Sequence, residues 1–231
     1  MVVLEKLYKA LNFACDVDIT RVLLWPLQAH DNYSPGDEQL IGVESSIATP
    51  HQYSWVTQAD LFELQQDSFW KVTSDFINDY VYFGFRGVVC RVDGELAGMI
   101  FLSTGLVDAR HNSGGANFTG MGLDLPSGVH YVFKVAVKPS HRGARMSAGM
   151  ITFAARQIAI DGGLAIVTTT DISNHAFLRV LESVGFKRVA LAGEIVLAGK
   201  RFHRLPGALP ILSQVINTDR TRADAIHFTA G

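Results

Sequence analysis

The chain is short of cysteine, with two in 231 residues, Cys15 and Cys90. Two thiols cannot build the disulfide framework of a small secreted domain, and neither stands at metal-ligand spacing. The expectation is therefore two reduced, buried thiols and a cytoplasmic protein. No run approaches the ~20 apolar residues that a membrane span requires. Charge is sparse and balanced: 18% of residues, Lys+Arg 20 against Asp+Glu 22, net −2. Such a chain has no broad basic face, which argues against nucleic-acid and anionic-membrane partners. The eight histidines are scattered, so no metal centre is expected. No repeat and no low-complexity tract is present.

What remains is 48% hydrophobic, enough for a sizeable core in a single domain of this length. Residues 1–13, with Glu5, Lys6 and Lys9 among apolar neighbours, read as a short amphipathic helix rather than a signal peptide. "VDITRVLLWP" (17–26) reads as a strand stopped by Pro26. Residues 27–56 read mostly as loop, with a short helix around 38–41. From Thr57 apolar residues recur every three or four positions (Leu61, Leu64, Phe69, Val72, Phe76, Tyr80), giving helices broken near Asp67, with Thr57 or Ser68 as caps.

Asp93-Gly94 between "GVVCRV" and "ELAGMIFLS" is a two-residue hairpin signal. Residues 104–129 are glycine-rich and aperiodic, an inserted loop. "HYVFKVAV" is a strand, and 145–161 is a helix with an Ile151, Ala155, Ile158 stripe, ended by Gly162-Gly163. "LAIVTTT" is a strand. "SNHAFLRVLESVGF" is a helix capped by Ser173 or Asn174 and stopped by Gly185. Two strands follow before residue 205, with Gly193 and Gly199 marking turns, and 207–231 is a docking arm or a frayed tail.

The stretch "VAVKPSHRGARMSAGM" (135–150) carries the most chemistry. A strand runs into a turn and then a helix, and Arg142 and Arg145 flank Gly143 at the mouth of that helix. A helix N-terminus has free amides and the positive end of the peptide dipole, so it binds phosphate. Gly143 allows close approach, Ala144, Met146 and Ser147 offer amides, and the arginines add charge. The bland alternative is an ordinary solvated basic turn.

This stretch, followed by "NHAFLRVLESVGF", resembles the GNAT superfamily of acyl-CoA-dependent N-acyltransferases, across about residues 86–190. Arg142 and Gly143 match the start of that family's loop motif. Arg145 stands where the middle glycine is usual, and Ser147 where the last small residue is. Asn174, Glu182, Gly185 and Phe186 match the second motif, and Leu181 occupies the place of a frequent tyrosine acid. The resemblance implies an α/β fold with a mixed, splayed β-sheet flanked by helices. It implies one domain over 1–206 and a tail over 207–231.

It further implies acetyl-CoA or another acyl-CoA as co-substrate. The diphosphate would lie on Arg142, Gly143, Ala144, Arg145, Met146 and Ser147, and pantetheine between strands 130–137 and 164–170, near Val135, Val137 and Asn174. Val137 N–H would be the oxyanion donor. Asn174 reads equally as a plain helix cap. Tyr131 falls where the family often places its base. His130 lies on the opposite strand face and Asp171 ends the neighbouring strand, where it reads also as a turn initiator.

The implied function is transfer of an acetyl or other short acyl group from acyl-CoA to a small-molecule or peptide amine. One alternative keeps the fold with an acyl carrier protein as donor. Another is a non-catalytic acyl-CoA- or partner-binding module, and a homodimer is a further alternative assembly. Asp31, Asp37, Glu38 and Glu44 suit a cationic amine or a solvated loop. Trp25, Tyr53, Trp55 and Trp70 line a pocket or fill the core. The 104–129 insertion, with His111, Asn112 and Asn117, reads as a lid over the acceptor.

Overall fold

A computed structural model describes residues 16–27, 51–108, 111, 122–197, 200–204 and 225–227. The expected helices at 1–13 and 38–41, and the acidic positions 31, 37, 38 and 44, lie outside these.

Eight strands form the main sheet: β1 (Asp16–Pro26), β2 (Gln52–Trp55), β3 (Arg86–Val92), β4 (Glu95–Thr104), β7 (Val129–Val137), β8 (Ala165–Asp171), β9 (Lys187–Leu197) and β10 (Lys200–Arg204). Their order is β10-β9-β1-β8-β7-β4-β3-β2. All neighbours pair antiparallel except β7 and β8, which are parallel. A small second sheet joins β5 (Leu106–Val107), β6 (Gly122–Asp124) and β11 (Ala225–His227). Part of the glycine-rich insertion and part of the C-terminal stretch thus pair with each other, β11 running parallel to β6.

Two helical layers cover the sheet. On one face lie α1 (Gln58–Gln66), a 3-10 turn (Ser68–Trp70) and α2 (Ser74–Tyr82). Their Leu61, Leu64, Trp70, Val72 and Phe76 pack with Met99, Phe101, Tyr131 and Phe133 of the sheet. On the other face lie α3 (Met146–Ile160) and α4 (His175–Val184). There Met150, Ile151, Ala155, Ile158, Leu178 and Leu181 pack with Val88, Ile100, Val132 and Ile166. The expected Ile151, Ala155, Ile158 stripe is buried. Leu181 is 0% exposed and belongs to this core, as an apolar residue at that position of an amphipathic helix should.

Local signals explain most element boundaries. Thr57 caps α1 through a reciprocal box with Asp60. The break near Asp67 is the 3-10 turn, capped by Asp67. Ser68 caps nothing; Thr73 caps α2 instead, because the chain leaves the 3-10 turn before the second helix begins. Asp93 (φ 52) and Gly94 (φ 83) both take left-handed backbone in the β3–β4 hairpin, as a tight turn of that type requires. Gly185 (φ 115) stops α4.

Two further findings correct the sequence reading, and a third adds what it left open. Within the expected 27–56 loop, β2 pairs with β3, its exposed Gln52 and Ser54 alternating with half-buried Tyr53 and Trp55. Four residues are too few for such alternation to stand out. Gly193 lies inside β9, opposite Ile19 and Arg204, since pairing on both edges carries the strand through a glycine that alone suggests a turn. The strand at 16–26 lies between β8 and β9, in the other half of the sheet from β2 and β3.

Candidate active site

The parallel ladder of β7 and β8 joins Val129–Val132 to Ala165–Thr168 and ends there. Beyond it β7 continues against β4, through Ala136 opposite Met99 and Val137 opposite Gly98. β8 continues against β1, through Thr169 opposite Val22 and Asp171 opposite Thr20. The two strands therefore diverge into a wedge. Exposure records the opening: Tyr131, Val132 and Phe133 are buried, whereas Lys134 to Lys138 are half-buried.

The head of the wedge is chemically closed by side chains. The Thr168 hydroxyl donates to the Val132 carbonyl at 2.9 Å, supplying the bond that the ended ladder withdraws. The Tyr131 and Thr169 hydroxyls lie 2.8 Å apart. A β-bulge sits immediately after: Phe133 faces Phe101 and Ala136 faces Met99, so Lys134 and Val135 together oppose Ile100. Lys134 takes the left-handed backbone (φ 51). The bulge turns Phe133 and Lys134, two successive residues, onto the α1–α2 face, where Phe133 joins that core and the Lys134 ammonium lies over the Phe76 ring.

Past the bulge, the Lys138 amide donates to the Ala97 carbonyl of β4 at 2.9 Å. Backbone groups of successive strand residues alternate in direction. Those of Val137 and Val135 are therefore aimed away from β4, into the wedge.

The loop from β7 to α3 leads to a helix start unlike the others. Thr57, Thr73 and Asn174 cap α1, α2 and α4 with side-chain oxygens. Arg145, at the N-cap of α3, provides no such bond. The Gly149 amide bonds to the Arg145 carbonyl at 3.0 Å, which leaves the amides of Met146, Ser147 and Ala148 without an acceptor in the helix. Gly143 (φ 87) has nothing within 4 Å of the position a Cβ would take. Arg142, Gly143, Ala144 and Arg145 are exposed. Arg145 itself has φ 55, so the backbone shape usually given to glycine is kept while a side chain is carried.

The Asn174 side chain accepts from Phe177 N–H at 3.2 Å and so caps α4. The Asp171 carboxylate accepts from Ser173 N–H and from the Ser173 hydroxyl; it shapes the turn before α4. Tyr131 and Asp171 are four residues apart in level, about 13 Å of strand. His130 lies on the other face, near Gly163 and Ile158, at the closed end of the parallel ladder. Its Nδ1 is buried without a hydrogen-bond partner. Burial, then the Arg86 charge, holds its pKa below the usual histidine value, with Asp161 acting the other way. The three candidate catalytic side chains thus do not converge.

The four aromatic residues do not converge either. Trp70 is 2% exposed in the α1–α2 core, while Trp25, Tyr53 and Trp55 pack on the opposite face. His111 pairs with Asp79 of α2 at 3.1 Å. Asn112 and Asn117 lie outside the described residues. The residues that sequence reasoning missed are Thr168, Thr169 and Lys134. The last was visible as a lone charge inside "HYVFKVAV", but nothing in its spacing announces a bulge.

No protein-family model matches the sequence, and no curated protein matches it. Solved structures do match in fold. A protein of the GNAT family from Novosphingobium aromaticivorans superposes with a TM-score of 0.50 at 15% identity, covering 78% of this chain and 63% of that one. A Drosophila protein gives a TM-score of 0.50 at 12% identity, covering 86% and 58%. The chain thus spans less than two thirds of the length of either. With a mixed main sheet whose one parallel junction joins β7 and β8, and with its flanking helices, it has the fold of the GNAT acetyltransferases. Among the described residues no helix is long and apolar enough to cross a membrane, and no group of three or more His, Cys, Asp or Glu is placed to hold a metal ion.

Proposed function

We propose that the protein is an N-acyltransferase that takes an acetyl or other short acyl group from acyl-CoA. One observation carries this reading: the unpaired backbone edge of Val135 and Val137 leads to the one described α-helix start that no side chain caps. The amides of Met146, Ser147 and Ala148 would take the diphosphate, with Arg142 and Arg145 adding charge-assisted bonds. The pantetheine arm would pair with Val135 and Val137, and Val137 N–H would polarise the thioester carbonyl.

In the transfer, the acceptor nitrogen bonds to the carbonyl carbon, the carbon–sulfur bond breaks, and the nitrogen's proton ends on the departing thiolate. Tyr131, whose hydroxyl lies at the head of the wedge, is our candidate for handling that proton. His130, at the closed end, and Asp171, committed to Ser173, fit the role less well. Because α3 presents its N-terminus on its own face of the sheet, the donor enters there. The α1–α2 face is left to the amine.

Calorimetric titration with acetyl-CoA tests the reading. Saturable binding that Arg142→Ala weakens about tenfold, as loss of one charge-assisted bond predicts, would support it. No binding of acetyl-CoA or longer acyl-CoAs would overturn it.

A further inference from the structure

Lys134 stands at the head of the wedge, on the face left to the amine, and it carries three costs at one position. Its backbone is left-handed (φ 51) without being glycine, a strain that proteins concentrate at functional sites. Its ammonium is half-buried, 4.9 Å from the Phe76 ring centroid and donating to the Lys71 carbonyl at 2.8 Å. Among the described residues it has no carboxylate partner.

The acidic groups of the covering layer are engaged elsewhere. Asp60 and Glu63 hold Arg91, Asp67 holds Lys138, and Asp79 holds His111. Asp75 is exposed in the first turn of α2. Burial, then the like charge of Lys71, pushes the Lys134 pKa down. Lys71 is also left-handed (φ 51), and it too has no carboxylate partner among the described residues. The Lys134 ammonium reaches the backbone of residue 71, so two cations without a carboxylate partner share one neighbourhood that an anion would stabilise, and a leucine or methionine at 134 would fill its space at lower cost.

We propose that Lys134 and Lys71 together bind an oxyanion, a carboxylate or phosphate carried by the amine acceptor. The inference rests on the acyltransferase reading for the acceptor's role, but the anion site itself does not. It reverses the charge expected of the acceptor's remainder: the amine arrives with a negative group rather than as a simple cation.

The test has two arms. In protein labelled with 13C-lysine, the ε-methylene resonances of Lys134 and Lys71, assigned by their absence in Lys134→Gln and Lys71→Gln, are followed while inorganic phosphate or acetate replaces chloride at constant ionic strength. Both should shift saturably, and Lys71→Gln, a change at an exposed residue, should weaken the response of Lys134 about tenfold. An unresponsive Lys134 overturns the site. In the second arm, thiol release from acetyl-CoA is measured with amino acids and with their carboxamides. The free acids should be preferred, and Lys134→Gln should abolish the preference by raising KM, leaving acetyl-CoA affinity unchanged. A preference that survives the substitution overturns the acceptor's part. Failure of acetyl-CoA to bind, with a responsive Lys134, removes the acyltransferase reading and leaves the anion site standing.

Discussion

The Thr168 hydroxyl donates to the carbonyl of Val132, 2.9 Å away, at the last rung of the parallel ladder. Thr168 is 1% exposed, so no water replaces that donor. The strands part there without leaving this carbonyl unpaired, and the wedge is held open by a side chain of the strand that leaves. Thr168→Val keeps the shape and removes the donor. The expected loss is about 1–3 kcal/mol, the cost of an unsatisfied buried group. Urea unfolding measures it, and an unchanged midpoint would mean that the carbonyl finds another partner.

Arg145 combines left-handed backbone with an exposed side chain at the mouth of α3. Arg145→Gly should relieve about 1 kcal/mol of backbone strain, less some entropy of the unfolded chain. Under the proposed function it should also weaken acetyl-CoA binding. A higher Tm together with a larger Kd is the expected result. Equal affinity would remove Arg145 from the donor site.

His130 keeps a buried Nδ1 without a partner and a folded-state pKa below its ordinary value. The unfolded chain therefore takes up a proton that the native state resists. Stability is fully present above pH ~6.5, the unfolded value, and is lost as pH falls from there toward the folded value. The urea midpoint of the wild type should drop between pH 7.5 and 5.5 more than that of His130→Phe. Equal drops would assign the acid loss to other groups.

Cys90 is 0% exposed, and burial pushes its thiol up to about 11. Beside it on the neighbouring strand, the Tyr53 phenol is pushed up to about 12, first by burial and then by Cys90. In a Cys15→Ser background, Cys90 should stay inert to a thiol reagent at pH 8 until the protein is unfolded. Both groups are held neutral in the native state. Stability should therefore be full below pH ~9 and decline as pH rises from there through about 11 for Cys90 and about 12 for Tyr53. Prompt labelling at pH 8 would show an opening at β3.

Tyr53 also explains a glycine. Its hydroxyl lies 2.1 Å from where a Cβ of Gly149 would stand, so β2 and α3 touch only because that position is bare. Gly149→Ala should cost about 1–3 kcal/mol through overpacking, and adding Tyr53→Ala should recover part of it. A purely additive double mutant would sink this account.

Local rules written into the sequence determined much of this protein. The Asp93-Gly94 turn, the Thr57 box, the Gly185 stop and the Ile151–Ala155–Ile158 stripe each act within a few residues, so spacing and residue type suffice to read them. The basic loop opening α3 was legible for the same reason, since free amides at a helix start follow from the backbone alone. What only the tertiary structure decided depends on which strands lie side by side. Neither the placement of β1 between β8 and β9 nor the end of the β7–β8 ladder at Thr168 is encoded by any one segment. The bulge that turns Lys134 onto the same face as Phe133 sets two residues of β7 against one of β4, and period-two alternation read from "HYVFKVAV" assigns Lys134 to the wrong face. His130 and Tyr131 are adjacent in sequence, but their side chains lie on opposite sides of the sheet, because successive strand residues point to opposite faces.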